Sequence, residues 1–426
     1  MRILFKIVLI VIFFLNSNEL KASSLFDSLN LAYLNNTKLN AERASMRASL
    51  EDKKESISEF LPSIIISGYV SEQDNTNTGI DTSFSPSEQS VTVVQKIFQG
   101  FSGVANFNKK KHGLNLAKFK LKKIEQEILL EAAKAHTMLL LNRKKVDINL
   151  LNIDLLERQV ESDQNRLEKG EISLADSAQS EASLSGANAK LIAVQNDLVT
   201  SKANFEKIIG KELSNSIVET KETKLNLPKS LAEAIRIANT ENPDLQISFF
   251  EYEQAKADVM IAGSDLSPSA TLSYKIAEQE DFSSTIKDRT QKTVIASATW
   301  PLFSGGKNLF NLKKNQELRN HKELLLEDSK KTVETSVANI WSNYKSSKSV
   351  LDSIKSQVKA AEIATEGITL EYESGNNRTT LEVIQSRTIL LDSRINLATS
   401  ERNFLIAQFD LLSAIGRLTA KQLNLK

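Results

Sequence analysis

The sequence predicts a mainly α-helical chain with a smaller β portion, built from two halves that follow one plan. Only 14 Gly and 6 Pro occur among the 426 residues, so helices can continue over long distances without a breaker. Short motifs recur at a spacing of 206 residues, which indicates an internal repeat. Pairs of β-branched segments stand at corresponding places in the two halves, and they predict the strands.

The first residues have the composition of an export signal. Arg2 and Lys6 precede nine consecutive apolar residues, Ile7–Leu15, and the polar stretch that follows ends near Ala22. We therefore expect a cleaved signal peptide at 1–22. The alternative is a permanent membrane anchor, but this apolar run is too short to cross about 30 Å of hydrocarbon as a helix. Cleavage would leave 51 basic and 52 acidic residues, a balance that lacks the basic surface typical of nucleic-acid binding.

Matching motifs define the two halves. LPS at 61–63 corresponds to SPS at 267–269 at a spacing of 206, and LEKG at 167–170 corresponds to YESG at 372–375 at a spacing of 205. Recurrence over such a distance is typical of a duplicated structural unit. The predicted organisation is a first repeat at 23–210, a linker at 211–229, a second repeat at 230–420 and a tail at 421–426.

Each half is expected to open with a helix that leads into two strands. In the first half the helix should run over 24–60, because Pro62 lacks an amide proton and disfavours helical geometry before it. Strands are predicted at Ser63–Gln73 and Val91–Gln99, in a β-hairpin at 63–99 with a polar loop between them. The second hairpin, at 269–303, has its predicted strands at Ser269–Glu280 and Lys292–Phe303.

Polarity alternates along the strands of the second half. Leu272, Tyr274 and Ile276 fall on one face, and Ser273 and Lys275 fall on the other. This pattern fits a half-buried sheet of a soluble protein, and it also fits an outer-membrane barrel, which the export signal favours. The smallest such barrel has about eight strands, whereas this chain supplies four. Several chains would therefore have to close the barrel together.

A very long helix, expected over 107–168 in the first half, follows each hairpin. Residues of one row recur at every seventh position, which predicts a left-handed supercoil. The rows are Ala132, Leu139, Val146, Ile153, Val160 and Leu167 in the first half and Val337, Tyr344, Leu351, Val358, Thr365 and Tyr372 in the second. Each long helix should end at a turn, near Gly170 or Gly375, and helices should run back over 174–209 and 379–415. The helices alone would indicate a structural coiled coil.

The chain offers little material for catalysis. It contains no Cys and only three His, which excludes thiolate ligands, lipid attachment to a cysteine and a zinc cluster. The sequence shows no phosphate-binding loop, nucleophile elbow or catalytic carboxylate pair. We therefore expect no enzyme activity, no cofactor and no catalytic or metal site. His136 corresponds to Trp341 in the second half, and we expect it to pack against other side chains.

Taken together, these features show that the chain resembles the TolC family of outer-membrane channels, which serve drug efflux and type I secretion. The resemblance covers residues 23–420. It is carried by LPS at 61–63, QKIFQGF at 95–101, WPLFSGG at 300–306 and the two turn motifs LEKGEISLADSAQSEA and YESGNNRTTLEVIQSR. The resemblance implies a homotrimer in which four strands from each chain close a twelve-stranded outer-membrane β-barrel. Twelve helices would continue this barrel as a periplasmic α-helical barrel.

The resemblance also implies a gate at the periplasmic ends of the helices. The gating tyrosine falls on Tyr372, the gating arginine on Arg378 and an acidic partner on Asp176. Glu382 takes the first of two acidic positions in a constriction ring, but the second is Gln385, so the ring would hold three carboxylates instead of six. One extra residue before Arg378 lengthens the turn. In the other interpretation, Arg378 and Glu382 form an ordinary surface pair four residues apart on one helix.

The function that the resemblance implies is that of a passive exit duct in a tripartite efflux pump or a type I secretion system. Its implied partners are outer-membrane lipid, a periplasmic adaptor that contacts the turns near Gly170 and Gly375, and an inner-membrane transporter of the RND, ABC or MFS class. Two alternatives stay open. A structural coiled-coil protein of the envelope would lack ion conductance, and a periplasmic adaptor would need β-rich lipoyl and barrel modules, which the sequence does not show.

Overall fold

The structure is a computed structural model, and it describes residues 24–77, 80–211, 225–283, 285–374 and 378–425. The predicted signal peptide at 1–22, most of the predicted linker and Gly375 lie outside the described residues. The chain divides into two compact units. The helical unit consists of the residues up to Ala41, Lys122–Asn242 and the residues from Thr332 onward. The strand unit consists of Glu42–Leu121 and Pro243–Lys331.

The described residues are mostly helical, and the two halves follow a similar order of elements. The first half contains α1 (Leu25–Asn35), α2 (Thr37–Glu55), a 3₁₀-helix (Ser56–Phe60), β1 (Ser63–Val70), β2 (Gln73–Asn77), β3 (Ile80–Phe84), β4 (Ser87–Gln99), α3 (Ser102–Glu168) and α4 (Leu174–Ile209). The second half contains α5 (Leu231–Glu241), α6 (Pro243–Ser264), β5 (Ser269–Glu280), β6 (Asp288–Thr299), α7 (Lys307–Glu373) and α8 (Thr380–Ala414).

The prediction of one continuous first helix is wrong, because Asn36 interrupts it. Asn36 has an extended backbone with ψ of 124°, and its side chain accepts a hydrogen bond from the amide of Leu39 at 3.2 Å. An asparagine that bonds to nearby backbone in this way ends one helix and caps the next. Its amide group also donates to the carbonyl oxygen of Ile208 at 2.9 Å. In the second half, Asn242 donates in the same way to the carbonyl oxygen of Ala414 at 2.8 Å. Asn242 and Ala414 lie 206 positions after Asn36 and Ile208, respectively.

The four main strands form one antiparallel sheet in the order β1-β4-β5-β6. The register places Ile64, Val93, Tyr274 and Val294 side by side across the sheet. Their side chains share one face, because side chains alternate along each strand. Ile64 is 68% exposed and Val294 is 67% exposed. The sheet therefore has an apolar face that other described residues of the chain leave largely open.

The opposite face of the same sheet is mixed, because it carries Ile65 and Ile295 as well as a cluster of polar side chains. Glu88 is buried there and accepts hydrogen bonds from Lys275 and Gln279. Arg289 on the neighbouring strand donates to the side-chain oxygen of Gln279 at 2.9 Å. These residues connect β4, β5 and β6 through side chains on one face of the sheet.

The strands differ from their predicted bounds, except for β5. β4 begins at Ser87 instead of Val91, because the polar residues at 87–90 pair with β1 on one side and β5 on the other. The segment predicted as a polar loop contains the small hairpin of β2 and β3. β6 covers 288–299 instead of 292–303, so the predicted hairpin at 269–303 is shorter at its end.

The seven-residue rows of the long helices are largely buried. α3 and α7 have 67 residues each, and α3 begins five residues before its predicted start. The buried members of the second row are Val337, Leu351, Val358, Thr365 and Tyr372, and those of the first row are Ala132, Leu139 and Ile153. The rows thus form the packing seam that their spacing predicts. Among the described residues, no helix is both long and apolar enough to cross a membrane.

His136 packs inside the helical unit, as expected. It is fully buried, and its Nδ1 atom lies 2.8 Å from the hydroxyl oxygen of Ser28. Burial lowers the pKa of His136 to about 4, so the imidazole is neutral near pH 7. Its role in the fold is that of a packed side chain with one hydrogen-bond partner on α1.

Candidate functional site

Asp163 is the centre of a buried polar cluster at the point where the ends of four helices meet. Its side chain is fully buried and accepts hydrogen bonds from Gln159 Nε2 at 2.9 Å, Ser180 Oγ at 2.5 Å and Tyr372 Oη at 2.8 Å. A buried carboxylate needs such donors because burial removes its bonds to water. We call Gln159, Asp163, Ser180, Tyr372 and Thr380 the Asp163 cluster.

Tyr372 contributes both its hydroxyl group and its ring. The hydroxyl oxygen lies 3.0 Å from Thr380 Oγ1, and because the tyrosine proton goes to Asp163, the threonine is the donor in this second contact. The guanidinium of Arg166 lies over the ring, 4.5 Å from its centroid. Burial raises the pKa of the Tyr372 phenol; the hydrogen bond with Thr380 opposes this effect, and that with Asp163 adds to it. The phenol therefore stays protonated at neutral pH.

Arg387, which lies on α8, makes hydrogen bonds at the edge of the Asp163 cluster. Its Nη1 atom donates to Gln159 Oε1 at 3.1 Å and to the carbonyl oxygen of Leu155 at 3.4 Å. Gln159 thus accepts from Arg387 and donates to Asp163, which fixes the orientation of its amide. Burial lowers the pKa of the Arg387 guanidinium, and the carboxylates of Glu373 and Asp163 act in the opposite direction. Side chains of the first half are thereby connected to helices of the second half.

Asp176 and Glu382 occupy matching positions at the starts of α4 and α8. Asp176 accepts hydrogen bonds from the backbone amide of Ser173 at 3.1 Å and from its hydroxyl at 2.7 Å. The amide of Asp176 donates to the same hydroxyl oxygen at 3.2 Å. Glu382 and Thr379 repeat this reciprocal arrangement 206 residues later. Such capping boxes satisfy amides at a helix start, and the bonds from Ser173 lower the pKa of Asp176.

Arg378 lies on the exposed side of the second turn. Its Nε atom is 2.6 Å from Glu371 Oε2, and its Nη1 atom is 3.0 Å from Glu382 Oε1. The hydrogen bonds that Arg378 donates to these two carboxylates raise the pKa of its guanidinium. The three side chains are 38 to 47% exposed, so water and salt screen both pairs. The ordinary surface pair of Arg378 and Glu382 is thus present within one chain.

The predicted gate residues do not share one cluster. Tyr372 belongs to the Asp163 cluster, whereas the hydrogen bonds described above for Asp176 and Arg378 stay close to their own turns. The other predicted positions are the exposed Gln385, the exposed Gly170 with its φ of 74°, and Gly375, which lies outside the described residues.

Asp163 is absent from the residues predicted from the sequence, although the sequence contains a signal for it. Position 163 lies between Val160 and Leu167 of the first seven-residue row, at helical spacings that place it on the buried face. The corresponding residue in the second half, at a spacing of 205, is Ile368. A carboxylate at such an apolar position needs buried donors, and this requirement could have identified the site.

The side chains of the site are suited to exchanging hydrogen bonds. They comprise hydroxyl groups, one amide, one buried carboxylate and arginines at its edge. Within the described parts of the chain, no group of His, Asp and Glu has an arrangement that could hold a metal ion. Polar contacts of this kind can separate and re-form when helices shift, provided that water replaces the lost partners.

Known channel proteins share this architecture. The profile of the outer membrane efflux protein family matches residues 28–211 and 234–417. The outer membrane efflux protein BepC of Brucella suis is 25% identical over 406 residues, which cover 95% of this chain and 88% of BepC. The outer membrane protein TolC of Vibrio cholerae is 24% identical over 420 residues, which cover 95% of this chain and 93% of TolC.

Solved structures show the same fold at lower sequence identity. The Campylobacter jejuni CmeC outer membrane channel matches with a TM-score of 0.84 at 13% identity, over 93% of this chain and 86% of CmeC. The two segments that match the family profile include most of the chain, and each holds one pair of main strands and one pair of long helices. The chain therefore belongs to the outer membrane efflux protein family and is an outer-membrane efflux channel.

Proposed function

We propose that the chain forms the passive exit duct of a tripartite efflux pump or a type I secretion system. The observation that carries this proposal is the four-stranded sheet, which has one open apolar face and an opposite face with a polar cluster around Glu88. Three copies would supply twelve strands and could close them into a barrel, with the apolar faces toward lipid and the Glu88 faces toward the lumen. The helices of the homotrimer would continue the duct into the periplasm.

The proposed partners are a periplasmic adaptor and an inner-membrane transporter of the RND, ABC or MFS class, which would supply the energy. The adaptor would contact the helix turns near Gly170 and Gly375. The first turn supports this assignment, because Gly170 is exposed and a Cβ atom added there would meet no other atom within 4 Å. A turn with open space around it leaves room for a partner.

Measuring assembly and conductance together tests the duct. The mature protein purified in detergent is expected to have the mass of three chains and to form discrete ion-conducting pores in planar bilayers. A structural coiled-coil protein would give no conductance. A chain that stays monomeric and soluble without detergent would contradict the proposal, because its apolar sheet faces would then have no need of lipid.

The proposed gate is a set of polar contacts at the turn ends of the helices. The family resemblance assigns this role to Tyr372 and Arg378, with Asp176 as the acidic partner. Screened pairs such as those of Arg378 are individually weak, but a threefold assembly would hold three copies of each. Together they could keep the closed state dominant and still allow a partner protein to open it.

Arg378→Ser is expected to raise the open fraction of single channels and the entry of vancomycin into cells. The substitution removes both charge pairs of the second turn, with Glu371 and Glu382. Arg158→Ser is the matched control, because Arg158 makes a comparable exposed pair with Asp154 at 2.9 Å on α3. Equal conductance of the Arg378 variant and the wild type would place the gate elsewhere.

Glu382→Gln is expected to weaken block of the channel by polyvalent cations severalfold. Three Glu382 carboxylates would form the proposed constriction ring, and glutamine keeps the capping-box geometry while it removes the charge. The measurement is the concentration of a trivalent cation that halves the conductance. Glu171→Gln, at an exposed position of the first turn, should leave this concentration unchanged. Unaltered block in the Glu382 variant would exclude this residue from the constriction.

A further inference from the structure

We propose that Asp163, and not Asp176, is the carboxylate that holds Tyr372 when the gate is closed. This inference rests on the proposed function, because it assigns a positioning residue to the proposed gate. The contact that keeps the gate closed would then connect α7 to α3 instead of to α4. The contact joins α3 of the first half to α7 of the second half, near the ends of both helices.

The first support is the number of donors that converge on Asp163. Gln159, Ser180 and Tyr372 each donate to this fully buried carboxylate, and they come from three different helices. Hydrogen bonds to a charged group are stronger than those between neutral groups. Separating α3 from α7 would remove the tyrosine donor, so the closed arrangement is favoured until water can replace it.

The second support is the state of Asp176. Its carboxylate already accepts two hydrogen bonds from Ser173, 3.1 and 2.7 Å long, in the capping box of α4. These bonds are local, since they join residues three positions apart at the start of one helix. Opening the hairpins relative to each other would leave them intact. The hydrogen bonds of Asp176 therefore do not depend on the relative positions of the helices, as those of a gate residue must.

The third support is the asymmetry of the buried seam. Positions 163 and 167 hold Asp and Leu in the first half, and the corresponding positions 368 and 372 hold Ile and Tyr in the second. Each half thus carries one polar and one apolar residue, and the two polar residues meet at 2.8 Å. Ile368 and Leu167 could not make this hydrogen bond, so an aspartate–tyrosine pair at these positions needs one residue from each half.

The experiment compares Asp163→Asn, Asp176→Asn and Tyr372→Phe in the full-length trimer. Asparagine is close in size to aspartate but loses the charge and presents an amide to neighbouring donors. We expect Asp163→Asn and Tyr372→Phe each to raise the open fraction about tenfold, and Asp176→Asn to change it less than twofold. The double variant of Asp163 and Tyr372 should open no further than the larger single effect, because both changes remove one contact. Asp154→Asn, at an exposed position of α3, is the control.

A second measurement separates failure of this inference from failure of the proposed duct. Hydrogen–deuterium exchange at residues 366–374 should become faster in Asp163→Asn and Tyr372→Phe but not in Asp176→Asn, whether or not the protein conducts ions. Absence of conductance in the wild type would contradict the proposed duct. Unchanged exchange in Asp163→Asn would contradict the proposed role of the Asp163–Tyr372 contact. Opening by Asp176→Asn alone would also overturn it. If Asp163→Asn does not assemble, Ser180→Ala removes one donor and should give a smaller change in the same direction.

Discussion

Val294→Arg is expected to prevent most of the chain from reaching the outer membrane as a trimer. Val294 lies in the row formed with Ile64, Val93 and Tyr274 on the apolar face of the sheet, and it is 67% exposed in the single chain. In the proposed barrel this row faces lipid. An arginine near the bilayer midplane of such a barrel costs about 2 to 4 kcal/mol. A homotrimer would carry this cost three times.

Ile295→Arg is the matched control for this prediction. Ile295 is the next residue along β6, is also exposed, and points to the opposite face of the sheet, the one that carries Glu88 and Lys275. An arginine there would face the water-filled lumen and should leave most of the trimer intact. The measurement is the amount of heat-resistant trimer in outer-membrane fractions of cells that express each variant. Equal loss in both variants would contradict the assignment of the two faces.

The periodic parts of the fold were predictable because their residue patterns reflect burial directly. The strand at Ser269–Glu280 and the helix at Leu174–Ile209 have the bounds expected from alternation and from helix signals. The local sequence does not predict the break at Asn36, because no proline marks it. Its counterpart Asn242 precedes Pro243, which forces an extended residue. Carrying the repeat back by 206 positions would have located the break.

The start of β4 shows a different limit of prediction from sequence. Residues 87–90 are Ser, Glu, Gln and Ser, and such residues have low strand propensity. They are nevertheless paired on both sides, with β1 and with β5. Strand formation here depends on neighbouring strands that are distant in sequence, and a local pattern does not contain that information.

The candidate site was predictable in its location but not in its contacts. The turn motifs indicate where the helices end, and the family resemblance points to Tyr372. Its partner depends on how α7 packs against α3, which carries Asp163, and against α4, which carries Asp176. Asp163 lies 2.8 Å from the tyrosine oxygen, whereas Asp176 is bonded to Ser173. Register between two long helices is a property of their packing and is not visible in either segment alone.

Gly416→Ala is expected to destabilise the helical unit by about 2 to 5 kcal/mol. Gly416 follows α8 and has a φ of 82°, a conformation that costs an alanine about 1 to 2 kcal/mol. A Cβ atom at this position would also collide with the carbonyl oxygen of Glu241 at the end of α5. The backbone there has little freedom to move, because Arg417 makes a two-pronged ion pair with Glu241, at 2.6 and 3.0 Å.

Substitutions at three other glycines distinguish backbone strain from steric collision. The measurement is the free energy of unfolding in urea. Gly170→Ala has the strained backbone but open space, so it should lose only about 1 to 2 kcal/mol. Gly210→Ala combines the strain with an approach of 3.1 Å to the carbonyl oxygen of Asn35 and should fall between the two. Gly367→Ala lies in a helix with open space and should gain about 0.5 to 1 kcal/mol. A Gly416 variant as stable as the Gly170 variant would contradict this prediction. It would mean that the chain after α8 does not contact the end of α5 as closely as the structure shows.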